Sequence, residues 1–230
     1  MSEFAAGPAG RIERVRALMA ERGYDAIVVR DEANLRWLTG VKGVFDYTFE
    51  FPHAAFITAD QCLFHTDSRY LNSFEENTPA GSPWVYDMDE GTIPGWVAGK
   101  IAANKCRVCA IEDDMQINFY QGIQRGLEDR SVACMLPLMH DDIRKMRAVK
   151  DAEEIELMRH AQSITDAAFQ HMLGFIKPGM TEKQVRNELE SFMFANGADS
   201  LAFGSIVASG PNTANPHAVP SDRVIEKGDF

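Results

Sequence analysis

The sequence has 230 residues, of which 45% are hydrophobic, and a formal net charge of -11. Such a chain can bury a core and exceeds the usual size of one domain, so one large or two smaller domains are expected. The acidic balance argues against a broad nucleic-acid surface. No apolar run approaches the ~18 residues of a membrane span and no basic segment leads into an apolar one, so the expected location is the cytoplasm, without membrane association.

The first half alternates helix and strand. RIERVRALMAERG places Ile12, Val15 and Met19 on one helical face, with Leu18 flanking and Gly23 as the stop. DAIVV reads as a short buried strand, and NLRWLTG closes on a glycine turn. HAAFIT and QCLFHT read as two strands joined at Ala59-Asp60, and DSRYLNSFEEN as a helix leading away. EGTIPGWVAGKIAANK predicts a weak helix broken early by Pro94 and Gly95. CRVCAIED reads as a strand, MQINFYQGIQRGLED as a helix ending near Asp129, and SVACMLPLM as one more strand. This alternation predicts a mixed α/β domain over roughly residues 8–140.

The pattern changes at Asp141. DDIRKMRAVKDAEEIELMRHAQSITDAAFQHML reads as a long helical stretch with a joint near Lys150-Asp151. Ile155, Met158, Ala161, Ala168, Phe169 and Met172 recur along it at helical spacing. Its basic residues, like those of RIERVR, are interleaved with acids and read as solvated faces. KPGM ends the stretch, and Thr181 with Gln184 forms a capping box for a helix whose core face carries Val185, Leu189, Phe192 and Met193. GSIVASG then reads as a strand between glycines. Two helices and one strand are not a complete layer structure, so residues 150–230 are expected to be an incomplete domain with exposed helical faces prone to self-association.

Cys106 and Cys109 make a CxxC, but CRVCAI reads as a buried strand and no second CxxC follows, so a structural role is expected. His53 and His65 lie at strand positions, His140 follows an apolar run, and His160 and His171 share a helix. There is no HExxH, nucleophile elbow or phosphate loop. Glu112, Asp113 and Asp114 cluster, as a strand end facing solvent would. His217 stands in NPHAVP, where prolines prevent regular structure. It reads either as a surface histidine or as a site residue on an ordered loop, where an imidazole can donate a hydrogen bond or move a proton.

Five segments in order resemble the creatinase/prolidase-type (pita-bread) metallopeptidase superfamily, and within it the Xaa-Pro aminopeptidases and Xaa-Pro dipeptidases. They are NLRWLTG (Asn34 to Gly40, with Trp37 where the family more often has tyrosine), TDSRY, IRKMRAVKDAEEIELMRHA, IKPGMTEKQV, and FGSIVASGPNTANPHAVPSDRVIEKGD. The resemblance implies an α/β fold in which a mixed-sheet creatinase/prolidase N-terminal domain, residues 1–142, precedes an incomplete α+β pita-bread domain, residues 143–230. It implies a parent metallopeptidase that cleaves the bond before proline, taking peptides with proline at the second position and acting as a homodimer. The parent would hold two divalent ions (Mn, Co or Zn) bridged by an activated water. His217 matches the family's substrate-binding or proton-shuttle histidine. The metal ligands, two aspartates, one histidine and two glutamates, would lie beyond Phe230. Neither Asp222 nor Asp229 matches one, so no metal is expected in this chain. The piece itself is then expected to be an inactive fragment. The alternatives are a free-standing noncatalytic binding or regulatory module, or a creatinase-like amidinohydrolase parent.

Overall fold

The computed structural model describes residues 7–45, 52–88 and 91–230. The chain forms two compact units, Met1–Val149 and Lys150–Phe230. Among the described residues no helix is long and apolar enough to cross a membrane.

In the first unit, α1 (Gly7–Arg22) buries Gly10, Ile12, Val15 and Met19 and ends at Gly23, whose φ of 69° suits glycine. Next come β1 (Ala26–Val29), α2 (Glu32–Thr39), β2 (Ala54–Thr58), β3 (Cys62–His65), α3 (Leu71–Asn77) and β4 (Val85–Asp87). Then follow α4 (Ile93–Ala103), β5 (Cys109–Ile111), α5 (Ile117–Glu128) and α6 (Asp142–Ala148). The strands form one sheet in the order β4-β3-β2-β1-β5. The β1–β2 and β2–β3 pairs are antiparallel, while β1–β5 and β3–β4 are parallel.

Both faces of this sheet are covered, which is why its central strands are apolar without alternation. Along β1, Ile27 and Val29 pack with Ile12, Val15, Leu35 and Phe74 on one face. Ala26 and Val28 point the other way, onto Trp96, Val97, Ile101, Phe119 and Ile123. The helices α4 and α5 approach closely on that second face. A Cβ at Gly126 would lie 2.8 Å from the Ala98 Cβ, so glycine there permits the contact.

Three local expectations change. The α4 helix is not broken: Pro94 sits in its first turn, where no N–H is needed, and Thr92 Oγ1 caps it by accepting from the Gly95 N–H at 3.2 Å. Glu90, where that predicted segment begins, lies outside the described residues. Residues 132–139 make only the isolated parallel bridges Val108–Met135 and Ile111–Leu138, because Pro137 has no N–H to continue a ladder. The acidic cluster does not simply face solvent. Glu112 is buried and accepts from the Arg30 and Asp31 N–H groups (2.6 and 2.8 Å) and from Asn34 Nδ2 (2.7 Å). Asn34 Oδ1 in turn accepts from Arg147 Nη1 at 2.7 Å. This knot lines a small cleft of about 110 Å3 by the carboxyl ends of β1 and β5.

All four cysteines are free. Cys109 is fully buried, and burial pushes the thiols of Cys62 and Cys106 up to about 11, which suits inert packing rather than redox chemistry.

The second unit opens with α7 (Ala152–Phe175), separated from α6 by Val149–Asp151, and continues to α8 (Glu182–Ala195). Each has a full capping box, from Asp151 with Glu154 and from Thr181 with Gln184. Between the helices His171 Nε2 meets Glu188 Oε1 at 2.7 Å, and its ring stacks on Phe192 at 4.4 Å. The buried residues of α7 are Ile164, Ala168 and Met172. Of the expected stripe, Ile155, Met158 and Phe169 are exposed, since α8 covers only one face of α7 within this unit. Leu189, Phe192 and Met193 are half-buried beside the buried Val185. The GSIVASG segment is not a strand: among the described residues of this unit it has no ladder partner, and a strand exists only by pairing.

Candidate functional site

His217 lies on the segment that closes the second unit. After Ser209 the chain makes a 3-10 turn, Gly210–Ala214, and then a tight turn at Pro216-His217. Asn215 organises that turn: its Oδ1 accepts from the His217 N–H at 3.0 Å and its carbonyl from the Ala218 N–H at 3.1 Å. Ala218 and Pro220 are buried, whereas the His217 imidazole is exposed. The result is an exposed histidine whose backbone is pegged on its C-terminal side by Ala218 and Pro220 and turned on its N-terminal side by Asn215.

The loop is held by Glu182, the first residue of α8, which is fully buried. Its Oε1 accepts from Ser209 N–H (2.7 Å) and Ser209 Oγ (3.0 Å), and its Oε2 from Ser221 N–H (3.0 Å) and Ser221 Oγ (2.6 Å). Asn212 Nδ2 spans both oxygens at 3.0 and 3.2 Å. Burial alone would push this carboxyl up. The hydrogen bonds from Ser221, Asn212 and Ser209 outweigh that and hold it down at about 2. The start of a helix is also a favourable place for a carboxylate.

A second tie lies beside the first. Arg223 Nε donates to the Ser209 carbonyl at 3.1 Å, and Arg223 Nη2 pairs with Asp229 Oδ2 at 2.7 Å. Asp229 also accepts from the Glu226 N–H at 2.9 Å. Gly210, at φ +50°, lets the backbone pass beneath this pair, because a Cβ there would strike the Arg223 guanidinium and come within 2.7 Å of Asp229 Oδ1. Gly210→Ala is therefore expected to cost about 1–2 kcal/mol, read as a calorimetric shift of roughly 10 °C in the second unit's transition. An unshifted transition would mean the tie yields freely.

The segment 221–225 docks against the start of α8 through an antiparallel bridge, Thr181 to Val224, with bonds from Ile225 N–H to the Met180 carbonyl and from Gly179 N–H to the Ile225 carbonyl. Among the described residues no three His, Cys, Asp or Glu side chains come together as metal ligands. Asp222 pairs with Lys183 and Asp229 with Arg223. Of the residues now seen to build the loop, Ser209, Asn212, Ser221 and above all Glu182 carried no sign in the sequence. Glu182 was visible only as the residue after the helix cap in MTEKQ, and its partners lie 27 to 39 residues away.

A mixed sheet between two helical layers, followed by a helical unit with an anchored loop, defines a two-part α/β protein. The creatinase/prolidase N-terminal domain matches residues 11–149 and metallopeptidase family M24 matches residues 156–230. The chain belongs to the creatinase/prolidase-type M24 metallopeptidase superfamily. It is 32% identical to an uncharacterized peptidase, YqhT, of Bacillus subtilis, over 96% of this chain and 59% of that protein. Among solved structures, it resembles an Xaa-Pro dipeptidase from Bacillus anthracis with a TM-score of 0.81 and 32% identity, covering 96% of this chain and 58% of that one. An X-Pro aminopeptidase from Thermotoga maritima gives a TM-score of 0.77 at 29% identity, over 95% and 58% of the two chains. The chain thus spans about three-fifths of the length of these relatives.

Proposed function

We propose that this chain is part of a metal-dependent peptidase that cleaves the bond before a proline, and that His217 serves the substrate side of its site. The observation that carries this is the loop: an exposed imidazole on a backbone pegged by Ala218 and Pro220 and tied at both ends to one buried carboxylate. The resemblance of the NPHAVP segment to the superfamily implies the role of a substrate histidine, and relatives named for Xaa-Pro substrates cover 95–96% of this chain.

The described residues do not fit a metal centre: no three His, Cys, Asp or Glu side chains among them converge, and Asp222, Asp229 and Glu182 are engaged by Lys183, Arg223 and the loop donors. No step through a metal is derived from them. The two divalent ions of the proposal belong to the part of the relatives' length that this chain does not span. Within this chain, His217 would donate a hydrogen bond to the substrate or move a proton at its imidazole nitrogens. The same reading takes the whole protein as a cytoplasmic homodimer.

The test is His217→Ala in the whole protein that carries this chain, assayed on Gly-Pro and longer Xaa-Pro peptides with manganese. We expect kcat/KM to fall by about 100-fold, the scale of a lost proton-transfer group. The melting temperature should stay fixed, since the imidazole is exposed. Undiminished turnover would remove His217 from the site, and turnover of a guanidino compound in place of peptides would remove the peptidase reading.

A further inference from the structure

Glu182 belongs to α8 by sequence, but its side chain serves the loop. The helix is already capped by Thr181 Oγ1 on the Gln184 N–H and by Gln184 Oε1 on the Thr181 N–H. None of the side-chain bonds described for Glu182 goes to its own helix: they go to Ser209, Asn212 and Ser221. The division is nearly symmetrical, with one carboxylate oxygen for each end of the loop. A closed loop whose ends share one anchor has little freedom to translate its tip. The tip is His217, and the bonds around Asn215 carry the constraint from the ends to it.

We propose that Glu182 is a positioning residue for His217: its buried carboxylate, by closing Ser209 and Ser221 onto one point, sets where the imidazole meets the substrate. This rests on the substrate-side reading of His217 given above. Glu182 touches no substrate, and its effect passes wholly through the loop. Glu182→Gln is the informative change, because an amide nitrogen in place of Oε2 sets donor against donor at the Ser221 N–H while leaving volume and the helix cap intact. Ser221→Ala, which deletes one hydroxyl donor, is the milder companion.

The experiment has two arms. In the whole protein, E182Q is expected to lower kcat about 10- to 100-fold with KM changed less than about three-fold, since a misplaced group harms the transition state more than binding. The double variant E182Q/H217A should be no worse than H217A within about two-fold, because the two residues act as one unit. In the 230-residue chain, amide hydrogen exchange across residues 210–218 should quicken at least about ten-fold in E182Q and less in S221A, with α8 unchanged. Multiplicative losses in the double variant, or unchanged exchange in the loop, would overturn the proposal. An inactive H217A beside a fully active E182Q would overturn it alone. A fully active H217A would overturn the reading of His217 and this proposal with it.

Discussion

Glu112→Ala is expected to destabilise the first unit by about 3–4 kcal/mol, and Glu112→Gln by about 1–2 kcal/mol. Three donors converge on this buried carboxylate: the N–H groups of Arg30 and Asp31, and Asn34 Nδ2. Alanine strands all three in a place water reaches poorly. Glutamine keeps an acceptor for the two backbone donors but turns its own amide nitrogen toward Asn34. Asn34 cannot simply turn over, because its Oδ1 is already engaged by Arg147. The loss is not larger because burial itself works against the charge. It pushes the Glu112 carboxyl up, with Asp31 adding to that, against the downward pull of the three donors. Thermal unfolding should show a drop of roughly 10 °C for the alanine variant. A change under about 1 kcal/mol would mean that the knot at the ends of β1 and β5 relaxes without cost.

Acid should weaken the same unit through His53. This side chain is fully buried among Phe45, Phe64, Tyr70 and Phe74, with ring centroids 5.0 to 5.7 Å away. Burial lowers its imidazole from 6.5 to about 4; Asp67 opposes the shift, while His65, Arg30 and Arg69 add to it. The unfolded chain therefore takes up a proton below pH 6.5 that the folded chain refuses until about pH 4. Stability from this group is complete above pH 6.5 and declines as pH falls toward 4, by about 3 kcal/mol in all. Urea unfolding at intervals from pH 7.5 to 4 measures the slope, and His53→Leu should flatten it by that amount. An equally steep slope in the variant would place the proton uptake elsewhere.

What the residues disclosed in advance depended on how local the physics was. The α1 face, the β2–β3 hairpin and the Thr181 capping box all follow from neighbours within a few positions, and each formed as the spacing required. Pro94 misled because proline breaks a helix interior but suits its first turn, and the boundary decides between them. The α7 face misled for another reason. Apolar residues at helical spacing name a side to be covered, not a cover, and Ile155, Met158 and Phe169 remain exposed while Ile164 is buried. In the candidate site, the proline-fixed segment made His217 stand out. Glu182 did not, because its meaning comes from residues 27 to 39 positions further on. Glu112 is the same case at still longer range, with partners 78 to 82 positions back. A single buried carboxylate in a chain with 34 acids has no local pattern to mark it.

The distribution of sulfur gives the molecule a built-in reporter. Cys62, Cys106, Cys109 and Cys134 all fall in the first unit and the second has none. A colourless thiol-titrating dye added to the native protein would find the half-buried Cys134 first, then wait on the sheet to open for the other three. The colour that follows counts openings of one half of the chain while remaining blind to the other. No label, tag or engineered residue is needed to watch the first unit by itself.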